Sequence, residues 1–138
     1  AMQHVADTSP LYSGWLGAQE EDLRSMREAI RTRDFPAMGT ITEESTLRMH
    51  AVTMAARPAV LYWKPATLQV MEAVREMREG GLAAYFTMDA GPQVKVLCQQ
   101  NDMAAVAEKL QALPPVLRVL EARAGTGVRI LEGSIPWK

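Results

Sequence analysis

Residues 85–96, YFTMDAGPQVKV, decide the fold of this chain. Two short runs of β-branched and aromatic residues flank the link Asp89-Ala90-Gly91-Pro92, a pattern typical of a β-hairpin with a tight connection. We therefore predict strands over Leu82 to Met88 and Val94 to Cys98. The first strand would carry Asp89 to its C-terminal end, and the small residues after it would let a ligand approach the backbone closely.

Helical patterns precede this hairpin. The first predicted helix begins at Ser9, a favourable N-cap, with Pro10 at the first helical position. Its buried face is predicted from residues that recur at helical spacing, namely Leu16, Leu23, Met26 and Ile30. A second helix should run from about Phe35 to Met54 after the N-cap Asp34, and a third from near Pro65 to the Gly80-Gly81 pair.

A helix and further strands are predicted after the hairpin. Asp102 should cap a helix over roughly Met103 to Leu113, and Pro114-Pro115 should end it. Val116 to Ala122 reads as a third strand, and Val128 to Leu131 as a short fourth segment. A hairpin, a crossover helix and a returning strand form most of a ferredoxin-like split βαβ arrangement, so the fold class is α+β.

Length and composition narrow the class of protein. The chain has 138 residues, enough for one domain, and its formal net charge is −1. Neither nucleic acid nor a membrane is therefore an expected partner, and we expect a cytoplasmic protein. The one cysteine, Cys98, excludes an intramolecular disulfide, and with two histidines the chain offers no expected metal site.

Asp89 is the candidate catalytic residue. A carboxylate at the end of a strand, followed by small residues, is suited to accept a proton from a substrate hydroxyl or to hold a metal together with a phosphate. The alternative is that Asp89 only begins a hairpin turn, as aspartate often does. Spacing alone favours the turn.

Motifs elsewhere in the chain add to the DAGP segment. They are Thr8-Ser9-Pro10-Leu11-Tyr12 with Trp15, Arg33-Asp34-Phe35, Met49-His50-Ala51 with Thr53, and Met77-Arg78-Glu79-Gly80. In this order and combination they resemble the diphosphomevalonate decarboxylases of bacteria, members of the GHMP kinase superfamily. The resemblance covers about residues 2 to 113.

The resemblance implies a fold and an activity. The fold would be a ferredoxin-like GHMP kinase C-terminal domain, an antiparallel sheet with helices packed on one face, lacking its first strand. The activity would be ATP-dependent conversion of mevalonate 5-diphosphate to isopentenyl diphosphate, CO₂, ADP and phosphate. Asp89 would be catalytic, Met2, Ala90 and Gly91 would bind substrate, and no residue would bind a metal.

The resemblance also implies what residues 1–138 would not do alone. The sequence has no Gly/Ser-rich loop of the kind that cradles nucleotide phosphates. ATP and Mg²⁺ would be bound mainly by an N-terminal domain outside this chain, so we expect the 138 residues alone to be an inactive fragment. The full-length enzyme would be a homodimer.

Two other functions stay open. One is a phosphomevalonate decarboxylase or mevalonate 3-kinase of the same superfamily, and the other is a non-catalytic ferredoxin-like binding module. Gln93 stands where the family usually has asparagine. The sequence leaves His50 open between a structural hydrogen bond and a role beside the ligand, and it predicts that Lys95 is solvated or at an interface.

Overall fold

The computed structural model describes residues 2–127, and of Met2 it describes the backbone only. The elements in chain order are α1 (Met2–Thr8), α2 (Tyr12–Thr32), α3 (Phe35–Met54), α4 (Pro65–Glu79), β1 (Ala84–Thr87), β2 (Lys95–Cys98) and α5 (Met103–Gln111), with a 3₁₀ turn at Gln100–Asp102 before α5. The α+β class is confirmed. None of the helices between residues 2 and 127 combines the length and the hydropathy that a membrane span needs.

The hairpin forms as predicted, with shorter strands. β1 and β2 are antiparallel, and Phe86 lies opposite Val96. Because side chains alternate along a strand, Ala84, Phe86 and Met88 share one face. That face packs on α4 and α5 in the main core, whose buried members also include Val70, Met71, Val74, Met77, Val106 and Leu110.

Helix α3 packs against β1 from the other side. Its N-cap is Asp34, as predicted, and the carboxylate of Asp34 accepts a hydrogen bond from Ala37 N–H at 3.0 Å. One turn further on, a Cβ at Gly39 would lie only 2.2 Å from Tyr85 ring carbons. Glycine therefore permits the close approach of α3 to β1, which in turn fixes the strand that precedes Asp89.

An ion pair covers the edge of β1 that does not pair with β2. Phe86 N–H donates to Glu43 Oε1 at 3.0 Å, and Arg78 donates to Ala84 O at 2.7 Å and to Glu43 at 2.9 and 3.1 Å. An unpaired strand edge is a template for pairing with another chain. Here, the side chains of Glu43 on α3 and Arg78 on α4 bind the Phe86 N–H and the Ala84 carbonyl, which such a strand would otherwise pair with.

The N-terminal helices differ from the prediction. Residues 2–8 form α1, a helix absent from the prediction, and α2 begins at Tyr12 rather than at Ser9. The predicted buried face of α2 is wrong for Leu16, Leu23 and Ile30, whose exposed fractions are 57%, 56% and 59%. The apolar spacing correctly indicates a helix, but among residues 2–127 nothing covers these three side chains. Within α2, the residue classed as buried is Ala29.

The predicted strand over Val116 to Ala122 is also wrong. This segment makes no ladder with β1 or β2, and the sheet of residues 2–127 has two strands. Val116 and Val119 contact the main core, whereas Leu117 and Leu120 lie in solvent, a spacing that does not alternate as a half-buried strand would. The predicted segment Val128 to Leu131 lies outside the described residues.

Candidate active site

Asp89 stands at the boundary between the core and solvent. The residue before it, Met88, is 1% exposed, whereas the Asp89 side chain is 84% exposed. The end of β1 is fixed by a hydrogen bond of 2.8 Å between the hydroxyls of Thr87 and Thr46 on α3. A buried strand thus delivers a solvent-facing carboxylate from a fixed backbone.

The link after Asp89 is tied to the start of α4. Thr67 is buried, and its hydroxyl donates to Pro92 O at 3.2 Å while accepting from Lys64 N–H at 3.1 Å. A Cβ placed on Gly91 would lie 2.6 Å from Gln93 Oε1. The Gln93 amide therefore lies over Gly91, and a larger residue at position 91 would displace it.

The carboxylate of Asp89 has a cationic partner. The Lys95 ammonium contacts Asp89 Oδ2, with Lys95 60% and Asp89 84% exposed. The sequence pattern predicts a solvated or interface lysine at position 95 but does not predict this ion pair. The strand register could have indicated the pair, because Lys95 lies opposite Thr87, and Thr87 is two residues before Asp89.

A cleft of about 340 Å³ opens beside Asp89, between α2, α3 and the end of β1. Its lining combines apolar residues with the polar side chains Gln19, Asp22, Thr42, Ser45 and Thr46, and Trp15 forms one wall. Asp22 is held in place by Arg48, which donates to its two carboxylate oxygens at 2.7 and 2.6 Å. A larger depression of about 700 Å³ near the α2–α3 turn contains none of the predicted site residues.

His50 lies buried behind the site. Its ring packs against the rings of Trp63 and Tyr62, with centroids 5.4 and 5.9 Å away, and it is 1% exposed. Burial lowers the pKa of His50, while a hydrogen bond with the Met88 backbone and the charge of Asp89 act in the opposite direction. The imidazole is therefore predominantly neutral at pH 7, and its Nε2 has no hydrogen-bond partner among the described residues.

Three of the four predicted site residues, Asp89, Ala90 and Gly91, lie together in the link between β1 and β2. The fourth, Met2, begins α1, and its side chain is outside the described atoms. α1 packs through Val5 on Val52 and Ala56, near the C-terminal end of α3. The catalytic and substrate-binding roles stay predictions.

Metal ligands and the cysteine are the other groups that could carry chemistry. Within the described residues, no group of three or more histidine, cysteine, aspartate or glutamate side chains could hold a metal ion. Cys98 is half-buried, and burial raises the pKa of its thiol, with smaller contributions from Asp102 and Glu121. A raised thiol pKa disfavours the thiolate that a cysteine nucleophile needs.

Comparisons with known proteins identify relatives over most of the chain. The family model described as "Mevalonate 5-diphosphate decarboxylase C-terminal domain" matches residues 1–128. A solved structure of the mevalonate diphosphate decarboxylase from Enterococcus faecalis, described as concerning mevalonate diphosphate mediated ATP binding, is 44% identical with a TM-score of 0.78. The match covers 83% of this chain and 36% of that one.

Two further relatives extend the comparison. A solved structure described as "MDDEF in complex with MVAPP, AMPPCP and Magnesium" is 44% identical, covers 81% of this chain and 35% of its own, and has a TM-score of 0.77. The phosphomevalonate decarboxylase of Haloferax volcanii is 29% identical over 104 residues, which are 75% of this chain and 32% of that protein. The chain thus spans about a third of the length of these relatives.

Proposed function

Because the chain belongs to the mevalonate 5-diphosphate decarboxylase C-terminal domain family, we propose that it is the C-terminal domain of an ATP-dependent decarboxylase. The enzyme would convert mevalonate 5-diphosphate to isopentenyl diphosphate, CO₂, ADP and phosphate. The observation that carries the proposal is Asp89, an exposed carboxylate that follows a buried strand and borders a cleft.

In this proposal Asp89 accepts the proton of the tertiary C3 hydroxyl. A bond then forms between the hydroxyl oxygen and the γ-phosphorus of ATP. The bond from that phosphorus to the oxygen bridging the β- and γ-phosphates breaks, and ADP leaves. The hydroxyl has become a phosphate ester, a far better leaving group. When phosphate departs with the C3–O electron pair, the C–C bond to the carboxylate supplies the electrons of the new double bond, and CO₂ is released.

The fixed backbone around Asp89 supports its role. Phosphoryl transfer depends mostly on positioning and electrostatics, with the attacking oxygen held in line with the phosphoryl group. The Thr46–Thr87 and Thr67–Pro92 hydrogen bonds hold the backbone on both sides of Asp89. Ala90 and Gly91 would contact the substrate, since small side chains leave room for its approach. Met2, at the start of α1, is the third proposed substrate contact.

ATP and Mg²⁺ are the proposed co-substrate and cofactor. Mg²⁺ prefers carboxylates and phosphates as ligands and would neutralise phosphate charge. Asp89 is an exposed carboxylate of that type, but the described residues offer no cluster of three ligands around it. We therefore propose that an N-terminal domain supplies most of the contacts to both. A bacterial source, a cytoplasmic location and a full-length homodimer complete the proposal.

The test uses the full-length enzyme that contains this chain, with isopentenyl diphosphate and ADP both measured. Replacing Asp89 with Asn keeps the size of the side chain but removes its basicity. General base catalysis is worth about 10²–10⁴-fold, so we expect kcat to fall at least about 100-fold with little change in KM. Asp102→Asn, before α5, is the matched control, because Asp102 stands at the N-cap as predicted but its side chain does not make the expected capping hydrogen bond.

Three outcomes are informative. A loss confined to KM would make Asp89 a binding residue instead of a base. A near-normal kcat in the correctly folded Asn variant would leave Asp89 as a turn residue only and contradict the proposal. Turnover of mevalonate, its 5-phosphate and its 5-diphosphate in the wild type would separate the proposed reaction from a phosphomevalonate decarboxylase or a mevalonate 3-kinase.

A further inference from the structure

Lys95 is held close to Asp89 by the hairpin, yet the bond between them is easily broken. The β1–β2 register fixes the Lys95 backbone opposite Thr87, so the ammonium is always within reach of the end of β1. Both side chains are more than half exposed. Ion pairs between exposed side chains contribute only about 0–1 kcal/mol, so releasing Lys95 from Asp89 costs little.

The contact conflicts with the proposed role of Asp89. The Lys95 ammonium occupies Asp89 Oδ2, so the substrate hydroxyl would have to compete with it for the carboxylate. Asp89 must also face a phosphoryl group that carries negative charge, and two anions repel. Both difficulties disappear if the ammonium moves from the carboxylate to the phosphoryl oxygens as the phosphoryl donor enters.

We propose that Lys95 is a catalytic residue that leaves Asp89 in the ternary complex and donates hydrogen bonds to the phosphoryl group in transfer. This inference rests on the proposed function. Lys95 keeps its proton throughout, and Asp89 alone takes the proton of the substrate hydroxyl. No covalent bond to Lys95 forms or breaks.

Two arginines, on α3 and α4, already have fixed partners. Arg48 is held by Asp22 and Glu44, and Arg78 is held by Glu43 and the Ala84 carbonyl. Lys95 differs from both in having a single, exposed partner and a flexible stem of four carbons. It can therefore move to a new anion without leaving a buried charge unpaired.

The experiment compares Lys95→Met, Lys95→Arg and the matched control Lys109→Met in the full-length enzyme. Removing one donor that stabilises transition-state charge typically costs about 10²–10³-fold in kcat, and a flexible exposed lysine should give the lower end or less. We expect Lys95→Met to lower kcat about 10- to 100-fold while KM for mevalonate 5-diphosphate stays within about twofold. Lys95→Arg should recover most of the loss because it keeps the charge, and Lys109→Met should match the wild type.

Different failures have different meanings. Wild-type enzyme that makes no isopentenyl diphosphate would overturn the proposed function and this inference with it. An active wild type whose Lys95→Met variant keeps a normal kcat would overturn the inference alone. A rise confined to KM for mevalonate 5-diphosphate would place Lys95 on the substrate diphosphate. An Arg variant as impaired as the Met variant would show that loss of the positive charge does not cause the fall in kcat. Either result also overturns the inference.

Discussion

Replacing Glu43 with Ala should destabilise the domain far more than the same change at another Glu–Arg pair. The Glu43 side chain is 11% exposed and binds both Arg78 and the backbone N–H of Phe86. Removing it leaves that N–H, in a fully buried residue, without an acceptor. It also leaves the Arg78 guanidinium without its counter-charge, although the bond to Ala84 O and the stacking on Tyr85 remain.

The expected cost follows from these losses. Removing one partner of a buried ion pair typically costs about 3–5 kcal/mol, and Arg78 is partly solvated, which points to the lower limit of about 3 kcal/mol. An unsatisfied buried donor alone costs about 1–3 kcal/mol, consistent with that value. Because a domain of this size is stable by only about 5–15 kcal/mol, the change removes a large fraction of its stability.

Glu28→Ala on α2 is the matched control. Glu28 also makes a two-point contact with an arginine, Arg31, at 2.8 and 2.6 Å, but the two side chains are 59% and 72% exposed. We expect urea denaturation followed by circular dichroism to show a lower midpoint for Glu43→Ala and an unchanged one for Glu28→Ala. Hydrogen exchange at Phe86 N–H should accelerate about 100-fold in the first variant, the equivalent of about 3 kcal/mol.

Equal midpoints in the two variants would refute this reasoning, because burial is the physical difference on which it depends. So would a Glu43→Ala variant that is destabilised globally but keeps slow exchange at Phe86 N–H relative to its neighbours. In that case the ion pair would not be what protects the edge of β1.

Two further predictions concern α3. Gly39→Ala should lower the free energy of unfolding by about 1–3 kcal/mol, since the added Cβ meets the Tyr85 ring. Gly17→Ala, in an open part of α2, is the control and should raise the free energy of unfolding by up to about 1 kcal/mol. Urea denaturation of both variants measures the two changes. NMR titration should give His50 a pKa below its ordinary value of 6.5. Between the lowered pKa and 6.5 the unfolded chain binds more protons than the folded one. Stability should therefore fall as pH drops through 6.5 and stop falling below the lowered pKa. A His50→Gln variant should lose this component of the pH dependence, and an unchanged dependence would mean that other groups cause it.

Local signals in the sequence predicted local structure well. Asp34 caps α3, Pro65 begins α4, and the hairpin surrounds the DAGP link, because each depends on residues that are neighbours in the chain. The helix start predicted at Ser9 is a local error, since α2 begins at Tyr12 and its N-cap, Leu11, makes no side-chain capping hydrogen bond. Two other errors in secondary structure depend on distant partners. Residues 2–8 form a helix that is secured when Val5 packs on Val52, and Val116 to Ala122 lack a neighbouring strand to pair with.

In the candidate site, too, local features could be predicted from the sequence and contacts between distant residues could not. Asp89 could be singled out because strand, carboxylate and small residues are consecutive in the sequence. The Lys95 contact depends on strand register, and the cleft depends on how α2 and α3 pack, so neither follows from spacing alone. The stripe of Leu16, Leu23 and Ile30 has the period of a buried helix face, but periodicity does not say whether anything covers it.

The contacts between α3 and β1 restrict how the gene for this domain can change in length. Gly39 meets Tyr85, Glu43 meets Phe86, and Thr46 meets Thr87, so each turn of the helix is matched to one residue of the strand. A codon inserted between positions 39 and 46 would rotate every later residue by about 100° and move the Thr46 hydroxyl off Thr87. Related genes should therefore gain and lose codons between α3 and α4 and keep this stretch of α3 constant in length.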